Sequence, residues 1–87
     1  MTRILPVGQK AALAAGSGNA TTVGGATVVR IVATAGNAVV VRTDSDDAIT
    51  GSFTQLNNTV EYVEKYTADK IYVTGNAVEV SAVGFTN

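Results

Sequence analysis

A four-residue motif that occurs twice most constrains what this chain can fold into. Gly-Asn-Ala-Val occupies residues 36–39 and again residues 75–78, each time between runs rich in β-branched residues. A tight two-residue loop between antiparallel strands needs a positive backbone φ, which glycine adopts freely and asparagine tolerates better than most residues. The sequence therefore predicts two β-hairpins with turns at Gly36-Asn37 and Gly75-Asn76, and a positive φ at both glycines.

Alternating side chains extend this pattern through most of the chain. The run TVVRIVATA places Val29, Ile31 and Ala33 on one face of a strand. A third compact turn is predicted at Asn57-Asn58, between ITGSFTQL and TVEYVEK, and alternation in the second run predicts Tyr62 as a core residue. Three consecutive hairpins without a convincing helix predict an all-β fold, either a small antiparallel β-sandwich or a partly open barrel.

The chain divides into two parts by composition. Residues 27–87 form the predicted β domain, whereas residues 1–26 combine a short edge strand containing Pro6 with a Gly/Ala-rich stretch from residue 8 onward. That stretch has two interpretations: a loop packed on its own domain, or an extended arm that lies on a neighbouring subunit. Both stay open at this point.

Size and composition predict self-association. A core built from 87 residues is thin, and no cysteine is present to reinforce it with a disulfide. A net charge of −1 without a basic patch gives no footprint for nucleic acid. No apolar run approaches the ~20 residues that span a bilayer, and the apolar part of KAALAAGSGNA is too short for a signal peptide. We expect a homo-oligomer that does not bind nucleic acid or a membrane.

The residue inventory does not favour catalysis. Histidine, the usual base near neutral pH, is absent, and no phosphate-binding glycine loop opens a helix, so no enzyme activity and no cofactor are expected. Clustered carboxylates at Asp44, Asp46 and Asp47 suit Ca²⁺, but acidic connections between strands are ordinarily solvated turns, and no metal site is predicted. A sugar-stacking platform of tyrosines is a further alternative, using Tyr62, Tyr66 and Tyr72.

Residues 51–87 resemble a class of very small all-β virion proteins of tailed bacteriophages, notably phages of cyanobacteria. Members run from a polar G-S/T-hydrophobic strand, through a V-E-Y/F-V-E/R-K strand and a K-x-x-x-D corner, to a final strand ending near V-x-F/Y-T. The corresponding segments here are Val60-Glu61-Tyr62-Val63-Glu64-Lys65, then Asp69, then residues 82–87. In the amino-terminal half only a VVRIV strand is similar.

The resemblance implies a virion structural protein, assembled in the host cytoplasm, that decorates or cements the capsid. Its implied partners are further copies of itself, expected as a trimer on a site of local threefold symmetry, and the major capsid protein. A tail, baseplate or fibre component and a small carbohydrate-binding module are the alternatives. The family has no catalytic residues to carry over. In the K-x-x-x-D corner, Lys65 and Asp69 are expected to form an ion pair that sets the shape of the turn, contributing only ~0–1 kcal/mol.

Overall fold

Two antiparallel sheets packed face to face make up the computed structural model, which describes residues 3–86. Met1 and Thr2 of the predicted first strand, and Asn87 at the end of the last, lie outside the described residues. A single 3-10 turn at Ser17–Asn19 accompanies the strands in this range. The strands are β1 Arg3–Pro6, β2 Ala11–Leu13, β3 Val28–Ala33, β4 Ala38–Thr43, β5 Ile49–Gln55, β6 Thr59–Glu64, β7 Lys70–Thr74 and β8 Val78–Thr86.

The strand order confirms the predicted small all-β sandwich. Sheet 1 has the order β1-β8-β3-β6, and β2 also pairs with β8. Strand β1 pairs with residues 83–86 of β8 and β2 with residues 78–80, so both lie along one edge of this long strand. Sheet 2 has the order β5-β4-β7. The two sheets do not close into a barrel.

The three predicted hairpins are wrong. Strands β3 and β4 belong to different sheets, as do β5 and β6, and β7 and β8. The turns at Gly36-Asn37, Asn57-Asn58 and Gly75-Asn76 are therefore connections between the two sheets, here called arches. Glycine with positive φ reverses the chain equally well within one sheet or between two facing sheets, so the local sequence does not decide between them. The hairpin of sheet 2 joins β4 to β5 through residues 44–48, a loop that contains three aspartates.

Alternation does place the core correctly in four of the strands, β3, β4, β7 and β8. Every second residue of β3, β4, β7 and β8 points between the sheets, and burying one such Val or Ile side chain stabilises the fold by about 1.5–3 kcal/mol. The buried cluster consists of Leu13, Val29, Ile31, Ala33, Ala38, Val40, Ile71, Val73, Val78 and Val80.

The prediction of Tyr62 as a core residue is wrong. Tyr62 aligns with Arg30 on the outer face of sheet 1 and is 41% exposed. Its neighbour Val63, which aligns with the buried Val29, packs against the core instead. Alternation along β6 predicts which residues share a face, but it does not predict which face points inward.

The Gly/Ala-rich stretch closes one side of the sandwich. Strand β2 lies on sheet 1, and Leu13 inserts into the core with 5% of its surface exposed. The chain then crosses to sheet 2, where the N–H of Thr21 donates to the Ile71 carbonyl at 3.0 Å and the N–H of Ile71 donates back at 2.8 Å. In this structure the stretch is a loop packed on its own domain, and the arm interpretation finds no support in it.

Candidate interaction surfaces

The two copies of the repeated motif meet at one end of the sandwich. Gly36 and Gly75 have φ values of 139° and 94°, so the positive φ expected at both is confirmed. The side-chain Nδ2 of Asn76 donates to the main-chain carbonyl of Asn37 at 2.8 Å. A Cβ added to Gly36 would lie 2.8 Å from Cγ of Asn76, and one added to Gly75 would lie 3.2 Å from the Asn37 carbonyl oxygen. Each arch therefore needs its glycine so that the other can approach.

The third predicted turn joins the same end. The N–H of Asn57 donates to Oδ1 of Asn37 at 2.8 Å, and the N–H of Asn58, a residue with φ of 63°, donates to the Ala33 carbonyl at 2.7 Å. All three arches are thus linked through Asn37. Nothing in the local sequence signals this convergence beyond the repeated Gly-Asn pair itself.

At the opposite end, the predicted Lys65–Asp69 ion pair is replaced by another. Oδ2 of Asp69 lies 3.3 Å from Nη1 of Arg42 and accepts the N–H of Tyr66 at 3.1 Å. Nζ of Lys65 donates to the carbonyl of Tyr66 at 3.2 Å. Both Lys65 and Asp69 are buried. Burial lowers the pKa of Lys65, and the nearby charge of Asp69 opposes that shift.

Asp44 and Asp47, two of the three aspartates considered as calcium ligands, have partners within the protein. Oδ1 of Asp44 accepts the N–H groups of Asp46 and Ala48 at 2.9 and 3.0 Å, the pattern of a side chain that holds a turn. Asp47 forms a 3.0 Å salt bridge with Lys70 of β7. Within residues 3–86 there is no group of three or more His, Cys, Asp or Glu side chains placed to hold a metal ion.

The three tyrosines do not share one surface. Tyr62 lies on the outer face of sheet 1, and Tyr72 aligns with Val41 on the outer face of sheet 2. Tyr66 is exposed at the corner between the two sheets. A platform that stacks sugar rings on all three side chains is therefore not assembled, which weighs against the carbohydrate-binding alternative.

One side of the sandwich is open between β5 and β6. Within the described chain these neighbouring edge strands do not pair with each other. Gln55 ties β5 to sheet 1 there, since its Nε2 donates to the carbonyls of Ile31 and Thr59 at 3.0 and 3.1 Å. The rest of β5 is exposed, and Phe53 keeps 38% of its surface accessible although it faces the core side of sheet 2.

A second apolar surface lies on the outer face of sheet 1. The rings of Tyr62 and Phe85 meet edge to face, with centroids 5.4 Å apart and an interplanar angle of 62°. Both side chains are more than one third exposed, as are Ile4 on β1 and Val60 on β6. We call the surface formed by Ile4, Val60, Tyr62 and Phe85 the aromatic face. Sequence alternation did not identify it, because Tyr62 was assigned to the core.

Comparison with known protein families, with curated proteins and with solved structures finds no match for this chain. In the described part of the chain no helix is long and apolar enough to cross a membrane.

Proposed function

We propose that this protein is a structural component of a tailed-phage virion, a decoration or cement protein that binds the major capsid protein and stabilises the lattice. The observation that carries the proposal is the amount of apolar surface left uncovered. Eleven large hydrophobic side chains are exposed among residues 3–86, in a domain of only this size. Four of them, Ile4, Val60, Tyr62 and Phe85, make up the aromatic face, and an exposed apolar patch marks a site of protein association.

The positions of the family-like motifs support a surface role. The segment Val60–Lys65 contains β6, and residues 82–86 form the end of β8. These two segments come together on the outside of sheet 1 through the Tyr62–Phe85 contact, away from the buried core. A motif kept for packing alone would place its aromatic side chains inside the sandwich. Here both aromatic rings are available to a partner.

The physical basis of the proposed function is multivalent binding. A cement protein holds capsomers together through several weak contacts made at once, and linked contacts give a combined affinity far above that of any one of them. With a net charge of −1 the protein contributes little long-range attraction, so the contact is mainly apolar and depends weakly on salt. Nothing in this mechanism requires a catalytic group.

A binding experiment with capsids tests the proposal. Purified protein is mixed with capsids that lack it, and the bound fraction is measured by co-sedimentation. We expect saturable binding that Tyr62→Ala and Phe85→Ala each weaken. Tyr66→Ala, which truncates an exposed tyrosine outside the aromatic face, is the matched control and is expected to bind normally. Binding to isolated tails but not to capsids would favour the tail alternative and contradict the capsid proposal.

A further inference from the structure

Strand β5 is an edge whose residues 51–55 have no protection; a register shift interrupts its pairing with β4 only at the start, between Ile49 and Gly51. Natural edge strands are usually shielded from further pairing by charges, by proline, by β-bulges or by a covering segment. Strand β6 carries Glu61 and Glu64, β1 ends at Pro6, and the segment around Thr21 covers β7. Strand β5, with the sequence ITGSFTQ, is the longest edge strand of residues 3–86 and contains neither a charged residue nor a proline. Its free main-chain groups are available to another strand.

Gly51 of β5 lies beside the register shift of its strand, but its backbone conformation does not require a glycine. A glycine inside a strand weakens it, and it often marks a place where another chain approaches closely. Gly51 does not have a positive φ, and a Cβ added to it would meet nothing within 4 Å. The register shift opposite Arg42 and Thr43 does not require it either, because the bulge type that needs glycine uses positive φ. The space beside Gly51 is therefore open to a group from outside the chain.

We propose that β5 pairs antiparallel with β5 of a second copy about a twofold axis at Ser52, which joins the two copies of sheet 2 into one six-stranded sheet. In this register Gly51 lies opposite Phe53 of the second copy, whose ring covers the bare glycine backbone. A groove of about 190 Å³, lined in part by Val40, Phe53 and Val63, lies beside Gly51 and offers room for that ring.

The occupant is a second copy because β5 is complementary to itself. When two copies of residues 50–54, Thr-Gly-Ser-Phe-Thr, run antiparallel with Ser52 opposite Ser52, Thr50 of one copy lies opposite Thr54 of the other. Gly51, the smallest residue of the stretch, then lies opposite Phe53, the largest. No charge is repeated across the axis. Paired copies of β6 would instead bring Glu61 and Glu64 close to their own equivalents, so sheet 1 is not extended in the same way. A twofold pair takes the place of the trimer expected from the sequence, and it does not depend on the proposed capsid role.

Disulfide trapping tests the register. The chain contains no cysteine, so Ser52→Cys introduces a single thiol. Side chains directly opposite across an antiparallel pair have Cβ atoms about 4.5–5.5 Å apart, close enough for disulfide formation with little adjustment. Thr54→Cys is the control, on the same strand and the same outward face, but its two copies are offset by roughly 13 Å along the strands. We expect Ser52→Cys to crosslink at least about tenfold faster. Equal rates, or a faster Thr54→Cys reaction, would overturn the register.

A second variant tests the pairing without disturbing the fold. Gly51→Val occupies open space in the single chain and replaces glycine with a good strand residue, so the isolated domain is expected to melt no lower. It removes the space for Phe53 of the second copy, so the Kd of self-association measured by sedimentation should rise about tenfold or more. Gly84→Val, at another open strand position, is the control and should leave that Kd unchanged. A wild-type protein that stays monomeric at high micromolar concentration, or that forms a trimer unaffected by Gly51→Val, refutes the proposal.

Discussion

A double-mutant cycle between Gly36 and Asn76 tests whether the two Gly-Asn arches interlock. An alanine at position 36 has two costs. Its backbone is held at φ 139°, where residues other than glycine are strained by ~1–3 kcal/mol. Its Cβ also lies against the amide of Asn76 and displaces that side chain from the Asn37 carbonyl.

The expected losses in free energy of unfolding for the two single variants and the double variant distinguish these two costs. The hydrogen bond of Asn76 is exposed and contributes about 0.5–1.5 kcal/mol, so Asn76→Ala alone is expected to cost about 1 kcal/mol. Gly36→Ala alone should cost about 2–4 kcal/mol, because it carries the backbone strain and also breaks this hydrogen bond. In the double variant the clash is gone and the hydrogen bond cannot be lost twice. The double variant is therefore expected to be no less stable than Gly36→Ala.

Urea denaturation followed by circular dichroism measures the free energies of unfolding, with a constant m-value as the check on two-state behaviour. The sum of the single effects should exceed the effect of the double variant by about 1 kcal/mol or more. Gly18→Ala, which meets nothing within 4 Å and does not have a positive φ, is the control and should be nearly neutral. Additivity within about 0.5 kcal/mol would show that the arches do not interact.

Three further variants probe the rest of the fold. Leu13→Ala should destabilise the protein by about 2–5 kcal/mol in the same denaturation assay, because the side chain belongs to the core; a change under 0.5 kcal/mol would mean that the Gly/Ala-rich stretch is not docked. Asp69→Asn should lower the free energy of unfolding by about 1–3 kcal/mol, because Arg42 loses its charged partner. The exposed Asp46→Asn is the control and should be nearly neutral; equal effects of the two changes would contradict the Arg42–Asp69 pairing. Burial lowers the pKa of Lys65 in the folded protein below its ordinary value of 10.5. Between the folded and the unfolded pKa of Lys65 the folded protein binds fewer protons than the unfolded chain, so the free energy of unfolding should rise with pH in that window relative to Lys65→Met. A parallel pH dependence of the two proteins would refute this.

The parts of the fold that depend on neighbouring residues were predictable from the sequence. The positions of most strands, the alternation of β3 and the positive φ of Gly36 and Gly75 follow from local steric rules, and the structure agrees with them; strand β2, in the Gly/Ala-rich stretch, was not predicted. These rules contain no information about which sheet the next strand joins, so the arches were predicted as hairpins.

Contacts between distant residues were not predictable in this way. Arg42 and Asp69 are 27 positions apart, and they meet only because β4 and β7 pair in sheet 2. Lys65 was assigned to Asp69 on the basis of proximity along the chain. Alternation predicts Tyr62 as a core residue, but alternation does not distinguish the inner from the outer face of an edge strand, and Tyr62 lies on the outer face. Both errors come from tertiary arrangement and not from the local pattern.

Capsid binding in the native particle is tested most directly by counting copies. The capsid proposal places this chain in a phage virion, so the test is to purify such virions, separate heads from tails, and quantify the protein by mass spectrometry against the major capsid protein. A lattice-binding protein is expected in the head fraction at on the order of hundreds of copies per particle, in fixed ratio to the capsid protein. A few copies confined to the tail fraction, or absence from the virion, would contradict the capsid proposal.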